Sequence, residues 1–138
     1  MSIIDYSRHT TIVTGASSGL GAEFATQLAR RGSSLVLVAR RTERLETLAN
    51  QLIEKYKVGV TVIARDLRAP DAGRTLRAEL EERSIQVTGL VNNAGFGTHG
   101  KFEDEDPDQL QSMLTLNINA LVDLSHAYFE QFAENEAF

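Results

Sequence analysis

The stretch Thr14-Gly15-Ala16-Ser17-Ser18-Gly19-Leu20-Gly21 decides the fold of this chain. It follows the short apolar segment Thr10–Thr14, which is typical of a buried strand, and it opens residues 19–31, where apolar side chains recur at helical spacing. Parallel α/β folds place a phosphate at such a junction, because the first turn of a helix has free N–H groups and a partial positive charge. The stretch therefore predicts a strand, a phosphate-binding loop and a helix, in that order.

The three glycines of this stretch each permit a close approach that a side chain would obstruct. Gly15 allows a tight turn, Gly19 lets the backbone approach a pyrophosphate, and Gly21 lets the helix pack against the strand. The spacing is G-x-x-x-G-x-G rather than G-x-G-x-x-G, and no Lys follows the last glycine as it does in a P-loop. Ser17 and Ser18 add hydroxyl donors. The alternative is a glycine-rich turn that binds no ligand.

The rest of the chain repeats the order of strand and helix. Further strands are predicted at residues 35–39, 58–64 and 87–91, and further helices at 41–56, about 70–83 and about 107–133. Strict alternation predicts an α/β fold, a Rossmann-like doubly wound parallel sheet with strand order 3-2-1-4 that stops after about four strands and their helices. No linker divides the chain, so residues 1–138 are expected to form a single domain, incomplete relative to that fold.

Composition excludes several classes of protein. The 138 residues include no cysteine, which rules out disulfides and thiol nucleophiles, and the net charge of −5 does not favour nucleic acid as a partner. No apolar run approaches the roughly 20 residues of a membrane span, and the first ten residues lack a signal-peptide pattern. We therefore expect a cytoplasmic protein with no membrane partner and no metal site.

The charged residues are unevenly distributed along the chain. All but one of the 14 Lys and Arg residues lie in the first 100 positions, whereas residues 101–138 carry a single Lys and nine acidic residues. The first part can attract an anionic ligand, and the acidic stretch has no ligand that the sequence identifies.

Two arginines follow the second predicted strand and bear on the choice of cofactor. Dinucleotide-binding folds usually place an acidic residue there, to bind the ribose 2′-hydroxyl. This chain has Arg40 and Arg41 instead, and a guanidinium can bind a 2′-phosphate with two parallel hydrogen bonds. The pair therefore predicts NADP(H) in preference to NAD(H). The alternative is two solvated residues at a helix start, where a cation is poorly placed against the helix dipole.

Four motifs in this order resemble the short-chain dehydrogenase/reductase family. TGASSGLG at 14–21 resembles its TGxxxGxG cofactor loop, and VNNAG at 91–95 resembles the NNAG motif after its fourth strand. Asp66-Leu67 resembles its adenine-contacting Asp with an apolar neighbour, and Asn117 resembles the Asn of its following helix. The resemblance extends from about residue 9 and implies a hydride-transferring oxidoreductase that uses NADP(H) on a carbonyl or alcohol substrate.

The resemblance also implies roles for individual residues. Arg40, with Arg41 nearby, would hold the 2′-phosphate, and Asp66 and Leu67 would border the adenine. Asn117 would be the catalytic Asn that holds a water in a proton relay, the alternative being an Asn that kinks a buried helix by bonding backbone groups. The candidate cofactor-binding residues are Gly15, Ser17, Ser18, Gly19, Leu20, Gly21, Arg40, Arg41, Asp66, Leu67, Asn93, Ala94 and Gly95.

The catalytic Ser, Tyr and Lys of the family are missing from the sequence. None of the three tyrosines has a Lys four positions later, so no Y-x-x-x-K motif exists. We therefore expect the cofactor-binding part of a reductase, inactive by itself. The alternatives are a non-catalytic NADP-binding or interaction module complete as it stands, and a partner chain that supplies the missing half.

An incomplete sheet also predicts self-association. The fourth strand would become an exposed edge, and the last helix would lack part of its cover. We expect the chain to pair with itself through this edge strand or through the final helix.

Overall fold

The computed structural model describes residues 4–134 as alternating strands and helices. The strands are β1 (Thr10–Thr14), β2 (Ser34–Ala39), β3 (Val60–Ala64) and β4 (Gly89–Val91). The helices are α1 (Gly19–Arg30), α2 (Thr42–Tyr56), α3 (Ala72–Glu82), α4 (Pro107–Leu114) and α5 (Leu121–Glu134). A π-helical turn (Thr115–Ala120) joins α4 to α5, and two short 3₁₀ turns lie at Tyr6–Arg8 and Phe102–Asp104.

The four strands form one parallel sheet in the order β3-β2-β1-β4. In the centre of this sheet Ile12 of β1 is opposite Val36 of β2 on one side and Leu90 of β4 on the other. The order confirms the prediction from the alternating sequence pattern. It brings the carboxyl ends of β1, β2, β3 and β4 to one edge, where doubly wound folds bind their ligands.

Helices cover both faces of the sheet, so the layers are those of a doubly wound fold. On one face α1 and α2 bury a cluster that includes Val13, Leu35, Leu37 and Leu45. On the opposite face α3 and α5 bury a second cluster. Its largest fully buried members are Ile12, Val36, Val38, Leu76, Leu80, Val87, Leu124 and Tyr128. Because β1 and β2 are covered on both sides, their continuous apolar sequences are explained.

Several predicted boundaries are wrong by a few residues. The fourth strand begins at Gly89 rather than 87, because in the register of β4 with β1 Val87 would lie opposite His9, which precedes β1. The third strand begins at Val60 rather than 58. The long final helix is interrupted at Thr115–Ala120, where a π-helical turn replaces the α-helical one.

A close crossing between α3 and α5 fixes the last helix on the sheet. The backbone N–H of Gly73 donates to the Asp123 carboxylate over 2.6 Å, so a residue of α5 satisfies a free N–H in the first turn of α3. A Cβ on Gly73 would lie 2.7 Å from the Asp123 carbonyl oxygen. The two helices can cross this closely only because residue 73 has no side chain.

Candidate functional site

A cleft of about 420 Å³ opens at the carboxyl edge of the sheet. It is lined by Gly15, Ser17, Ser18, Leu20, Ala39, Arg40, Arg41, Arg65, Asp66, Leu67, Arg68, Asn93, Ala94, Gly95, Phe96 and Leu116. Of the candidate residues named from the sequence, only Gly19, Gly21 and Asn117 do not line it. The fold therefore brings the glycine loop, the Arg40–Arg41 pair, Asp66-Leu67 and the NNAG motif into one site.

The turn after β1 is shaped by glycines with little space around them. Gly15 has a φ of +66°, which favours glycine, and its N–H donates to the carbonyl of Val38 over 2.8 Å. A Cβ on Gly15 would lie 2.9 Å from Ala94 Cα. A Cβ on Gly21 would lie only 2.3 Å from the carbonyl oxygen of Gly15 and 2.5 Å from Asn93 Nδ2. The first turn of α1 therefore packs directly on the loop.

Gly19 differs from these two glycines because open space surrounds it. Among residues 4–134, apart from its chain neighbours and its own helix, no heavy atom lies within 4 Å of the position that its Cβ would take, although its φ is +56°. The neighbouring Leu20 is 71% exposed and lines the cleft. The loop is therefore uncrowded at Gly19, next to a residue that lines the cleft.

The glycine loop and the NNAG motif are joined by hydrogen bonds. The Thr14 hydroxyl accepts from the backbone N–H groups of Asn93 and Ala94, both at 3.0 Å, and donates to the carbonyl of Val91. The Asn93 side chain donates back to the carbonyl of Thr14 at 3.1 Å. Thr14 thus holds the ends of β1 and β4 together beneath the cleft, a role that the sequence analysis missed.

Asn117 clasps the loop that follows β4. Its side-chain oxygen accepts from the backbone N–H of Phe96 at 3.0 Å, and its Nδ2 donates to the carbonyl of the same residue at 2.8 Å. The side chain therefore bonds a neighbouring segment rather than the backbone of its own helix. Asn117 lies within the π-helical turn, and such turns occur frequently at functional sites.

Among the residues that the structure describes, four arginines and a single acidic residue line the cleft. Arg65 is paired with Glu79, and Arg68 is paired with Asp66. Arg41 donates to the hydroxyls of Ser17 and Ser18, both at 3.2 Å. The excess of guanidinium groups makes the cleft suitable for an anionic ligand.

Arg40 differs from the other arginines of the cleft because its side chain has no bonding partner in the described part of the chain. Among residues 4–134, its guanidinium forms no hydrogen bond and no ion pair, and the side chain is exposed at the end of β2. Arg41, in contrast, reaches back to the glycine loop. Of these two neighbours, Arg40 is therefore the one that can meet an incoming anion without first breaking a bond.

Asp66 is held ionised by Arg68. Hydrogen bonds from the guanidinium lower the pKa of Asp66 to about 2, the positive charge of Arg40 lowers it further, and partial burial opposes both effects. The sequence analysis identified Asp66 but missed Arg68. The sequence does carry a signal for Arg68, since it lies two residues after an Asp at a strand end. Local hydrogen bonds are common at that spacing.

The sequence model of the family described as short chain dehydrogenase matches residues 9–137. This chain belongs to the short-chain dehydrogenase family. Members of the family are oxidoreductases that bind a nicotinamide dinucleotide. The match includes every strand of the sheet and every residue that lines the cleft.

Individual relatives in this family differ in what they act on. The chain is 38% identical to the very-long-chain 3-oxoacyl-CoA reductase of Lodderomyces elongisporus, over 79% of this chain and 32% of that protein. It is 36% identical to sulfoacetaldehyde reductase 2 of Chromohalobacter salexigens, over 91% of this chain and 50% of that protein. The chain thus spans a third to a half of the curated relatives that it matches.

Solved structures of short-chain dehydrogenases superpose closely on this fold. A short-chain dehydrogenase from Sphingobium yanoikuyae in complex with NADPH matches with a TM-score of 0.84 and 36% identity, over 94% of this chain and 50% of that one. An alcohol dehydrogenase from Thermococcus sibiricus complexed with 5-hydroxy-NADP matches with a TM-score of 0.87 and 27% identity, over 94% and 55%.

The tyrosines of this short-chain dehydrogenase chain do not line the cleft. Tyr128 is buried under α3 and stacks on Phe132 with ring centroids 5.7 Å apart. Its hydroxyl has no hydrogen-bond partner among the described residues, and burial raises the pKa of Tyr128 well above its ordinary value. Tyr128 is therefore unsuited to proton transfer at neutral pH.

Residues 4–134 also contain no metal-binding group of three or more His, Asp or Glu side chains, and no helix that could span a membrane.

Proposed function

We propose that this chain is the NADP(H)-binding portion of a short-chain dehydrogenase/reductase. In the whole protein the reaction would be hydride transfer between NADP(H) and a carbonyl or alcohol substrate. The cofactor preference rests on Arg40, whose guanidinium has no bonding partner among the described residues and lies at the end of β2. A dinucleotide fold that prefers NAD(H) has an acidic residue at this position. A guanidinium there favours a ligand with a 2′-phosphate.

The cleft residues divide the work of binding such a ligand. The open backbone at Gly19 and the hydroxyls of Ser17 and Ser18 would hold the diphosphate at the start of α1. Asp66 and Leu67 would border the adenine. The backbone from Asn93 to Gly95 would lie beside the adenine-side ribose. Gly15 and Leu20 would line the diphosphate and adenosine side, Arg41 would lie near the 2′-phosphate, and Gly21 would let α1 pack closely on the strand.

Asn117 is assigned a role beyond the cofactor. By clasping Phe96 it places the loop after β4, and it would hold a water in the proton relay of the complete enzyme. The Ser, the Tyr and the Lys that would transfer the proton are absent from this sequence, which has no Y-x-x-x-K motif. We therefore propose that this chain binds cofactor but does not catalyse hydride transfer alone.

Titration calorimetry with NADPH, 2′,5′-ADP and NADH tests the binding proposal. NADPH and 2′,5′-ADP are expected to bind with similar affinity, because the adenosine and phosphate contacts lie within this chain, whereas NADH is expected to bind more weakly. Failure of both 2′-phosphorylated ligands to bind would overturn the proposal.

A second candidate function is a non-catalytic NADP-binding or interaction module. Reading the gene past residue 138 separates the two. A Ser and a Y-x-x-x-K motif in frame support the reductase, and a stop codon in every source supports the module. Copurification of a second polypeptide that restores activity would instead indicate that a partner supplies the missing half.

We also propose that the chain associates with a second copy of itself. Support comes from apolar side chains exposed along the end of α4, the π-helical turn and α5. They are Leu114, Ile118, Leu121, Val122 and Phe129, which are 43–72% exposed. The outer strand β4 is the other surface available for pairing. Exposed apolar patches of this kind mark protein interfaces.

Charge placed on this helix face is expected to separate the two copies. Phe129→Glu should lower the sedimentation coefficient to that of a monomer at high protein concentration, because a carboxylate cannot be buried without a partner. Phe102→Glu is the matched control, since Phe102 is 83% exposed and lies outside the final helix. A wild-type chain that sediments as a compact monomer at high concentration would contradict the proposal.

We also propose that the protein is cytoplasmic. The absence of cysteine is compatible with a reducing compartment, and the net charge of −5 is compatible with a partner other than nucleic acid. The substrate itself is proposed only as a small-molecule carbonyl or alcohol.

A further inference from the structure

The Asp66 carboxylate is held by Arg68 on both of its oxygens. Oδ1 accepts from the backbone N–H of Arg68 at 3.0 Å and from its Nε at 2.9 Å. Oδ2 accepts from Nη2 at 2.6 Å and from Nε at 3.1 Å. A planar guanidinium that contacts both oxygens fixes the plane of the carboxylate as well as its charge.

Arg68 is itself fixed by a second element of the fold. Its Nη1 donates to the hydroxyl of Ser112 on α4 over 2.9 Å. The guanidinium is therefore held between the end of β3 and α4, with its Nε and Nη2 on the carboxylate and its Nη1 on the helix. This bridge crosses the edge of the cleft, which Arg68 and Asp66 both line.

Asp66 remains accessible although it is paired. Its side chain is 42% exposed, and Oδ2 has one short hydrogen bond and one longer, shared one. The two oxygens together have about four lone-pair sites, and three N–H groups of Arg68 use them because Nε is shared between Oδ1 and Oδ2, so the carboxylate can receive one further donor from a ligand in the cleft. An exocyclic amino group is such a donor, and a carboxylate held in a fixed orientation, as Asp66 is, is a suitable acceptor for it.

We propose that Arg68 is a positioning residue for base recognition, which orients Asp66 so that the site accepts a purine with a 6-amino group and disfavours one with a 6-oxo group. The proposal rests on the proposed function, because it requires the adenine end of NADP(H) to lie beside Asp66. The 6-oxo group of hypoxanthine presents an acceptor to the carboxylate and is repelled by it. If Arg68 were removed, Asp66 would keep its place in the sequence but lose its orientation and its low pKa.

The other charged groups around the pair do not duplicate this contact. Arg40 and Arg65 line the same cleft, and Asp106 and Asp108 at the start of α4 line adjoining clefts with Arg68. Among the described residues, Arg68 is the one whose guanidinium is bonded to Asp66. Its removal should therefore act on Asp66 directly.

The test compares NADPH with its hypoxanthine analogue on wild type, Arg68→Ala and Arg68→Lys. The ratio of the affinity for NADPH to the affinity for its hypoxanthine analogue is expected to be about tenfold lower in Arg68→Ala than in wild type. A factor of this size corresponds to the loss of one hydrogen bond to a charged group. Arg68→Lys should recover part of the preference, because an ammonium keeps the charge but cannot contact both oxygens in one plane. Arg74→Ala is the matched control, since Arg74 pairs with Asp71 outside the cleft.

The pKa of Asp66 provides an independent measurement. Carboxyl NMR should show the pKa of Asp66 rising from about 2 toward its ordinary value in Arg68→Ala, with a smaller rise in Arg68→Lys. Arg68→Gln, which keeps the stem and part of the donor set, replaces Arg68→Ala if that variant does not fold.

Two negative results have different meanings. If wild type binds neither NADPH nor its analogue, the proposed function fails and this inference fails with it. If wild type binds NADPH but Arg68→Ala or Arg68→Gln keeps the full preference over the hypoxanthine analogue, the inference alone is overturned.

Discussion

Arg40→Asp is expected to lower the affinity of this chain for NADPH by about 100-fold, or about 2.7 kcal/mol, and to leave the affinity for NADH equal or higher. The substitution removes a guanidinium that can bind the 2′-phosphate and puts a carboxylate in its place. A carboxylate repels the phosphate but can accept a hydrogen bond from a free ribose 2′-hydroxyl. Titration calorimetry with both dinucleotides measures the change.

The matched control for this prediction is Arg44→Asp. Arg44 is exposed on α2, one turn beyond Arg40, and does not line the cleft, so it undergoes the same change of charge outside the site. A general electrostatic effect would appear in both variants. If the ratio of NADPH to NADH affinity stays at the wild-type value in Arg40→Asp, Arg40 does not bind the 2′-phosphate.

Gly21→Ala is expected to destabilise the fold by about 3 kcal/mol, at the upper end for overpacking in a close-packed interior. The new Cβ would lie 2.3 Å from the Gly15 carbonyl oxygen, which belongs to the backbone and cannot rotate away. Helix α1 must then move off the loop, and this displaces the N–H groups at its start. We expect a loss of about 10 °C in the melting temperature and weaker binding of 2′,5′-ADP.

Gly97→Ala is the control for adding a methyl group to a glycine. Gly97 has a φ outside the left-handed region, and among the described residues no heavy atom beyond its chain neighbours lies within 4 Å of its Cβ position. The melting temperature of Gly97→Ala should therefore stay close to that of wild type. Differential scanning calorimetry on the two variants separates the clash at Gly21 from a general effect. Equal melting temperatures for Gly21→Ala and wild type would show that α1 does not pack on the loop as described.

Most of the fold could be predicted because each strand and helix carries its own local pattern. Segments such as Ser34–Ala39 are apolar on both faces, and this pattern predicts a central strand. The start of β4 could not be predicted, because Val87 has a strand-like side chain but would lie opposite His9, which precedes β1. The register of two strands that are far apart in the chain is not recorded in either local pattern.

The site could be predicted only where its residues are next to strand ends. Gly15, Asp66 and Asn93 each follow a strand, and parallel strands bring such positions together. The bond from Arg68 to Ser112 could not be predicted, because it spans 44 residues and depends on how α4 lies over the end of β3. Spacing along the chain carries no signal for it.

The π-helical turn at Thr115–Ala120 makes the length of the final helix a strict requirement. Such a turn holds one residue more than an α-helical turn, and one residue rotates everything after it by about 100°. Deleting a residue here would leave a regular helix but turn Leu124 and Tyr128 away from the sheet, while Asn117 kept its clasp on Phe96. During evolution this segment can therefore exchange its exposed side chains other than that of Asn117, but it cannot gain or lose a residue without disconnecting the loop from the core.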